Sequence, residues 1–265
     1  MTTPHPDGPP AGMSRREWRE LRATTPAASF ASPSPSPSPS PEPGNAHADA
    51  PAPGPLDALL RPDAGGDPGH RLTILTVCTG NICRSPLAEV MLRHSLEPLG
   101  VRVHSAGTHA LVGHGMPEPA LELAATAGVE PSIAAAHQAR YLVEPLLADT
   151  DLVLTMAREH RSHAVKMLPS ILRRTFTVRE FARLASTLTS ADARAAADAA
   201  GDAPADRFAA VLRALNDQRG LTPSQPEDDD VIDPYRRSRE TYALSASQLT
   251  PALAEVERVV RDAIG

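Results

Sequence analysis

Aromatic residues are scarce in this 265-residue chain, at 3% of its composition, so any core must be aliphatic and alanine-rich. Lysine is scarcer still: of 26 basic residues only Lys166 is a lysine. There is no basic surplus either. The formal net charge is −6, which gives no reason to expect nucleic acid as a partner. The only two cysteines, Cys78 and Cys83, stand in one short loop. That argues against a disulfide framework and for a reducing compartment. No apolar run approaches the about 20 residues of a membrane-spanning helix, and the first residues lack the apolar stretch of a secretory signal. These absences describe a cytoplasmic protein without a membrane segment. What is present, 41% hydrophobic residues, suffices for one substantial domain with appendages.

The chain divides by composition. Residues 1–70 are dominated by Pro, Ala, Ser and Gly, with strict Ser-Pro alternation from Ser32 to Pro41. Proline cannot donate a backbone hydrogen bond and there is little apolar surface to bury, so this reads as a disordered or polyproline-II tail. A short run around Trp18 and Leu21 reads as a solvated part of it. From residue 71 strands alternate with helices. Apolar, β-branched runs predict strands over 72–77, 101–104, 151–155 and 175–178. Helical spacing and terminal signals predict helices over 86–96, 119–127, 143–148, 158–168 and 236–264. The last carries Leu249, Leu253, Val256, Val260 and Ile264 as a stripe, with Thr250-Pro251 as a break or kink. Such alternation implies an α/β fold: a four-stranded parallel sheet flanked by helices, with its site at the C-terminal strand ends. Residues 182–230 resemble an insertion holding an amphipathic helix around Phe208, Val211, Leu212 and Leu215, between mobile ends.

The informative stretch joins the first strand to the first helix. After Val77 the chain turns through Cys78, Thr79, Gly80, Asn81, Ile82, Cys83 and Arg84. Ser85-Pro86 then suits a helix N-cap and first position. A loop that feeds a helix N-terminus turns its amide hydrogens on an anion. Cysteine attacks phosphorus as a thiolate, which a helix N-terminus and a nearby arginine favour. Arg84 has the planar fork that fits two phosphoryl oxygens. Ser85 can offer its hydroxyl to the sulfur, Asn81 tolerates left-handed backbone, and Gly80 permits close approach. A leaving alkoxide or phenoxide needs a proton. Asp233, stiffened by Pro234 and followed by Tyr235, is the candidate acid, while Asp228, Asp229 and Asp230 read as a solvated loop. Two thiols make half a zinc site and no histidine pair has ligand spacing nearby, so neither metal nor cofactor is expected.

With these residues in hand, the run C-T-G-N-I-C-R-S-P resembles the signature of the low-molecular-weight protein tyrosine phosphatases. The order of parts agrees, with the nucleophile early and an Asp-Pro-Tyr acid late. In the classical and dual-specificity phosphatases the acid precedes the cysteine and a histidine stands directly before it; here that place is Val77. Further matches are Ser105-Ala106-Gly107-Thr108, His137-x-Ala139-Arg140 and the run 151–156. The resemblance spans about 71–181 and 231–264. It implies Cys78 as nucleophile, Arg84 as phosphate clamp and Asp233 as acid, then base for water, through a cysteinyl-phosphate intermediate. Thr79, Gly80, Asn81, Ile82 and Cys83 would line or support the phosphate loop, with Ser85, Ser105 and His137 bracing it. Cys83 would also trap an oxidised Cys78 as a disulfide. The implied partner is a phosphotyrosine-containing protein, such as a bacterial tyrosine kinase.

One departure bears on substrate preference. The family's cleft rim carries an aromatic shortly after the Gly-Thr pair, whereas residues 108–114 here hold no aromatic ring but histidine. Tyr235 is left as the stacking wall. Two rival functions stand beside the phosphatase. One is an arsenate reductase, which would need an external small thiol because no cysteine lies outside the loop. The other is a phosphate- or phosphopeptide-binding module without turnover.

Overall fold

The computed structural model describes residues 70–223 and 225–265. The tail read over 1–70 lies, up to Gly69, outside the described residues. Four strands form one parallel sheet: β1 (Thr73–Cys78), β2 (Arg102–Gly107), β3 (Leu152–Thr155) and β4 (Thr175–Thr177), in the order β2-β1-β3-β4. β1 is central and buried along its whole length. That is why its sequence runs apolar without a solvated face, as a parallel strand covered on both sides requires. Period-two alternation splits its side chains between two cores. Ile74 and Cys78 join a large apolar cluster on one face, while Leu75 and Val77 join a smaller one with Ala164 and Ile171 on the other. Burying each large aliphatic chain contributes about 1.5–3 kcal/mol.

α1 (Arg84–Leu96) follows β1 and carries Leu87, Val90, Leu92 and Leu96 into the larger core. After β2 come α2 (Glu118–Thr126), α3 (Pro131–Ala135) and α4 (Glu144–Ala148); after β3 comes α5 (Arg158–Met167). β2 runs three residues beyond the expected end because Ser105, Ala106 and Gly107 pair with Thr76, Val77 and Cys78. The chain leaves β1 toward β2 on one side and places β3 and β4 on the other. The loop after Cys78 therefore sits where strand order reverses, the natural crevice of an open parallel sheet.

The segment expected to have mobile ends is instead packed. α6 (Val178–Ala185), α7 (Ser190–Asp198) and α8 (Pro204–Asp217) contribute Phe181, Leu184, Ala193, Ala197, Phe208, Val211, Leu212 and Leu215 to the larger core. α6 opens on a full capping box, Thr177 with Glu180. α9 (Arg239–Ile264) is one continuous helix with Pro251 inside it, so the expected break is absent. Its stripe of Leu249, Leu253, Val256 and Val260 closes the same core. Among the described residues no helix is long and apolar enough to cross a membrane.

Candidate active site

The loop is organised around the side chain of Asn81, which is fully buried on a left-handed backbone (φ 54°). Its Oδ1 accepts the Arg140 amide at 2.9 Å, which fixes the orientation of the carboxamide. Nδ2 then donates to Ser85 Oγ at 3.0 Å and Ser105 Oγ at 2.7 Å. Ser105 hands its own proton to Glu89 Oε2 at 2.5 Å. Ser85 Oγ lies 3.0 Å from Cys78 Sγ, to which it can donate when the sulfur is a thiolate, and 3.5 Å from the Ala106 carbonyl. The Asn81 amide also points at that sulfur, at 3.3 Å. His137 Nε2 lies 2.7 Å from the Asn81 carbonyl, which can only accept, so that nitrogen carries the proton. The sulfur thus sits at the foot of a satisfied, buried polar network, the condition under which such networks are rigid.

One expectation changes here. Ser85 is not the helix cap: Cys83 holds that place without a side-chain cap bond, and Ser85 lies inside α1. The first-turn amides are therefore left facing the loop. Asn81 takes the left-handed backbone, as expected, and at Gly80 an added Cβ would meet Ile82 at an ordinary 3.5 Å. The glycine that the loop requires is Gly107 on β2, where a Cβ would stand 2.5 Å from the Thr79 carbonyl oxygen.

Arg84 is buried. One terminal nitrogen, Nη1, donates to the Val231 carbonyl at 3.0 Å, and Nη2 meets Asp233 Oδ2 at 3.0 Å. Its Nε is buried and finds no protein acceptor. Asp233 is half exposed and folds back as an Asx turn, its Oδ1 accepting from the Tyr235 amide at 3.2 Å. Cys78, Thr79, Gly80, Ile82, Cys83, Arg84, Asp233 and Tyr235 line one cleft of about 130 Å³, with His109 and Leu111 on its rim. The sequence-predicted residues come together, Cys78, Arg84 and Asp233 in the cleft and Asn81, Ser85, Ser105 and His137 in the network beside it.

Of the acidic run expected to be solvated, Asp228 is exposed, but Asp229 and Asp230 are held by arginines. Arg183 grips the buried Asp229 with two nitrogens, at 3.2 and 3.1 Å. Asp230 accepts the Arg158 amide at 2.8 Å and its guanidinium at 3.1 Å.

Other contributors carried weaker signals. Glu89 stands four residues after Ser85, the spacing of one helix face. His160, on α5, is buried and within 2.8 Å of Thr79 Oγ1 through Nε2, and no motif announced it. Burial, then the nearby Arg84, pushes His160 down to about 3. Tyr242 of α9 lies 3.5 Å from Cys83 Sγ. Burial pushes the Cys83 thiol up to about 11, so it is a neutral thiol near pH 7.

Residues 73–218 match the family described as low molecular weight phosphotyrosine protein phosphatase. The chain belongs to that family. Among similar proteins of the family, the low molecular weight protein-tyrosine-phosphatase Etp of Escherichia coli K12 is 41% identical over 99 residues, 37% of this chain and 64% of Etp. The probable enzyme EpsP of Ralstonia nicotianae is 46% identical over 84 residues, 32% of this chain and 54% of EpsP. These matches thus span less than two thirds of either relative. A solved structure of the YwlE arginine phosphatase with a phosphorylated active-site serine is 23% identical with a TM-score of 0.50, covering 72% of this chain and 96% of that one. That likeness is one of fold.

Proposed function

We propose that this protein hydrolyses phosphotyrosine in proteins, or another aryl phosphomonoester, through a cysteinyl-phosphate intermediate. One observation carries the reading: Cys78 Sγ, under the Asn81 amide and Ser85 hydroxyl, shares a cleft with Arg84 and Asp233, which are 3.0 Å apart. The unpartnered buried Nε of Arg84 supports it further, since an orphan donor in a cleft needs an acceptor such as a phosphoryl oxygen.

The chemistry follows from those positions. The phosphoryl group is held by loop amides and by the guanidinium fork, which gathers charge as the transfer proceeds. Sulfur forms the S–P bond while the P–O bond to the aryl oxygen breaks. Asp233 protonates that oxygen, then takes a proton from the water that cleaves S–P. Free phosphate leaves and the thiolate is restored. Tyr235 supplies an aromatic wall for the aryl ring. The protein partner is a phosphotyrosine-bearing protein, for which a tyrosine kinase is the natural candidate.

Hydrolysis of p-nitrophenyl phosphate by purified protein tests the reading. Wild type turns over, Cys78→Ser does not, and rapid acid quench of the wild type traps phosphate on Cys78. Equal turnover by the serine variant would remove the proposal. Capture of tyrosine-phosphorylated protein by Asp233→Ala tests the partner.

A further inference from the structure

We infer that Arg158, Arg179 and Arg183 are positioning residues for leaving-group protonation: they clamp the stem of the Asp233 loop so that the acid stands over Arg84. The inference rests on the phosphatase reading above and concerns residues to which that reading gives no role.

The stem is residues 229–231, and it is held from three elements. Arg183 on α6 lays its Nε and Nη2 on the two oxygens of Asp229, while its Nη1 donates to the Thr222 carbonyl at 2.7 Å. Arg179, one turn earlier on α6, donates to the Asp230 carbonyl at 2.8 Å. Arg158 opens α5, and both its backbone amide and its guanidinium bind the Asp230 carboxylate, which thereby caps that helix. At Val231 the stem meets the sheet and the site, the amide on the Met156 carbonyl at 2.8 Å and the carbonyl on Arg84.

Beyond Val231 the loop is lightly held. Ile232 donates to Gln248 at 2.9 Å, Asp233 is half exposed, and Arg236 takes a left-handed φ of 56°. Two residues reach at most about 7 Å, so the position of the stem is passed on almost undiluted to the Asp233 carboxyl. Partly exposed ion pairs contribute little to global stability. Three arginines on two adjacent residues, Asp229 and Asp230, are better explained by the need to deliver one proton within hydrogen-bond reach of the leaving oxygen.

Protonation matters most when the departing phenoxide is a strong base. The test compares kcat/KM for phenyl phosphate, a poor leaving group, with that for p-nitrophenyl phosphate, a good one. In Arg183→Met and Asp230→Asn the loss is at least about fivefold greater on phenyl phosphate. Arg183→Lys, which keeps the charge but not the fork, lies between these and wild type. Equal losses on both esters, or no loss, would overturn the inference. Should Arg183→Met fail to fold, the isosteric Asp230→Asn carries the same comparison, with melting temperatures recorded for each. Cys78→Ser separates the two claims: its full activity would remove the phosphatase reading, whereas parallel losses beside an inactive Cys78→Ser would remove the clamp alone.

Discussion

The cysteine loop and the acid loop face one cleft but are built by opposite means. The cysteine loop is short in sequence, buried, and wired internally through Asn81, with Ser85, Ser105 and Glu89 completing the relay. The acid loop has almost no internal support. Its stem is tied down by arginines from α5 and α6, and its tip meets Arg84 from a half-exposed position. The difference matches the two tasks. A nucleophile must be fixed where several donors converge, while an acid must reach a leaving group that enters and departs through solvent.

The largest effect expected from breaking the comparison is at the tip. Asp233→Asn should lower kcat/KM on phenyl phosphate by about 10²–10⁴-fold with little change in unfolding free energy. A matching loss of stability, measured by urea titration, would mean that the acid loop is structural after all. Gly107→Ala attacks the cysteine loop from the neighbouring strand. Its Cβ must displace the Thr79 carbonyl, and a shift of that kind costs up to about 10²-fold in kcat/KM.

The stability of the two loops can be compared directly. Asn81→Ala strands buried partners on Arg140, Ser85 and Ser105 and should cost about 1–3 kcal/mol. Asp230→Asn, at the acid-loop stem where its ion pair with Arg158 is partly exposed, should cost about 1 kcal/mol or less. Denaturation midpoints in the reverse order would refute the contrast.

A pH slope offers a further comparison. Burial holds His160 down to about 3 and His104 down to about 4, against 6.5 when unfolded. Below 6.5 the unfolded chain binds protons that the folded chain refuses, so stability is full above that pH and declines as pH falls toward 4 and then 3. His160→Gln should flatten the decline by at most about 1.4 kcal/mol per pH unit. Urea midpoints between pH 7 and pH 4 that kept the wild-type slope would show that His160 does not contribute.

Much of the site is legible because its chemistry is local. Cys78 to Arg84 is one strand-to-helix turn, and its spacing already implies a sulfur and a guanidinium on one anion. β1 and β3 are legible because they are buried along their whole length and so run mostly apolar. What was not legible depends on contacts across the chain. His160 lies 81 residues from Thr79, and a buried histidine on a polar helix resembles a surface one until the fold is known. Asp229 and Asp230 looked solvated because their arginines sit 46 and 72 residues away.

By itself, the order of residues determined an α/β chain, an anion-binding turn with a cysteine and an arginine, and a late Asp-Pro-Tyr. Those follow from short-range sterics and from the period of apolar residues, which act within a few positions. Only the tertiary structure decided that Asn81 is the hub, that Gly107 is the glycine the loop needs, and that residues 182–215 join the core. It also decided that arginines from two helices bind Asp229 and Asp230, just before Asp233. Each of these is a contact between distant segments, and such contacts arise only when burial of the apolar faces brings the sheet and helices together.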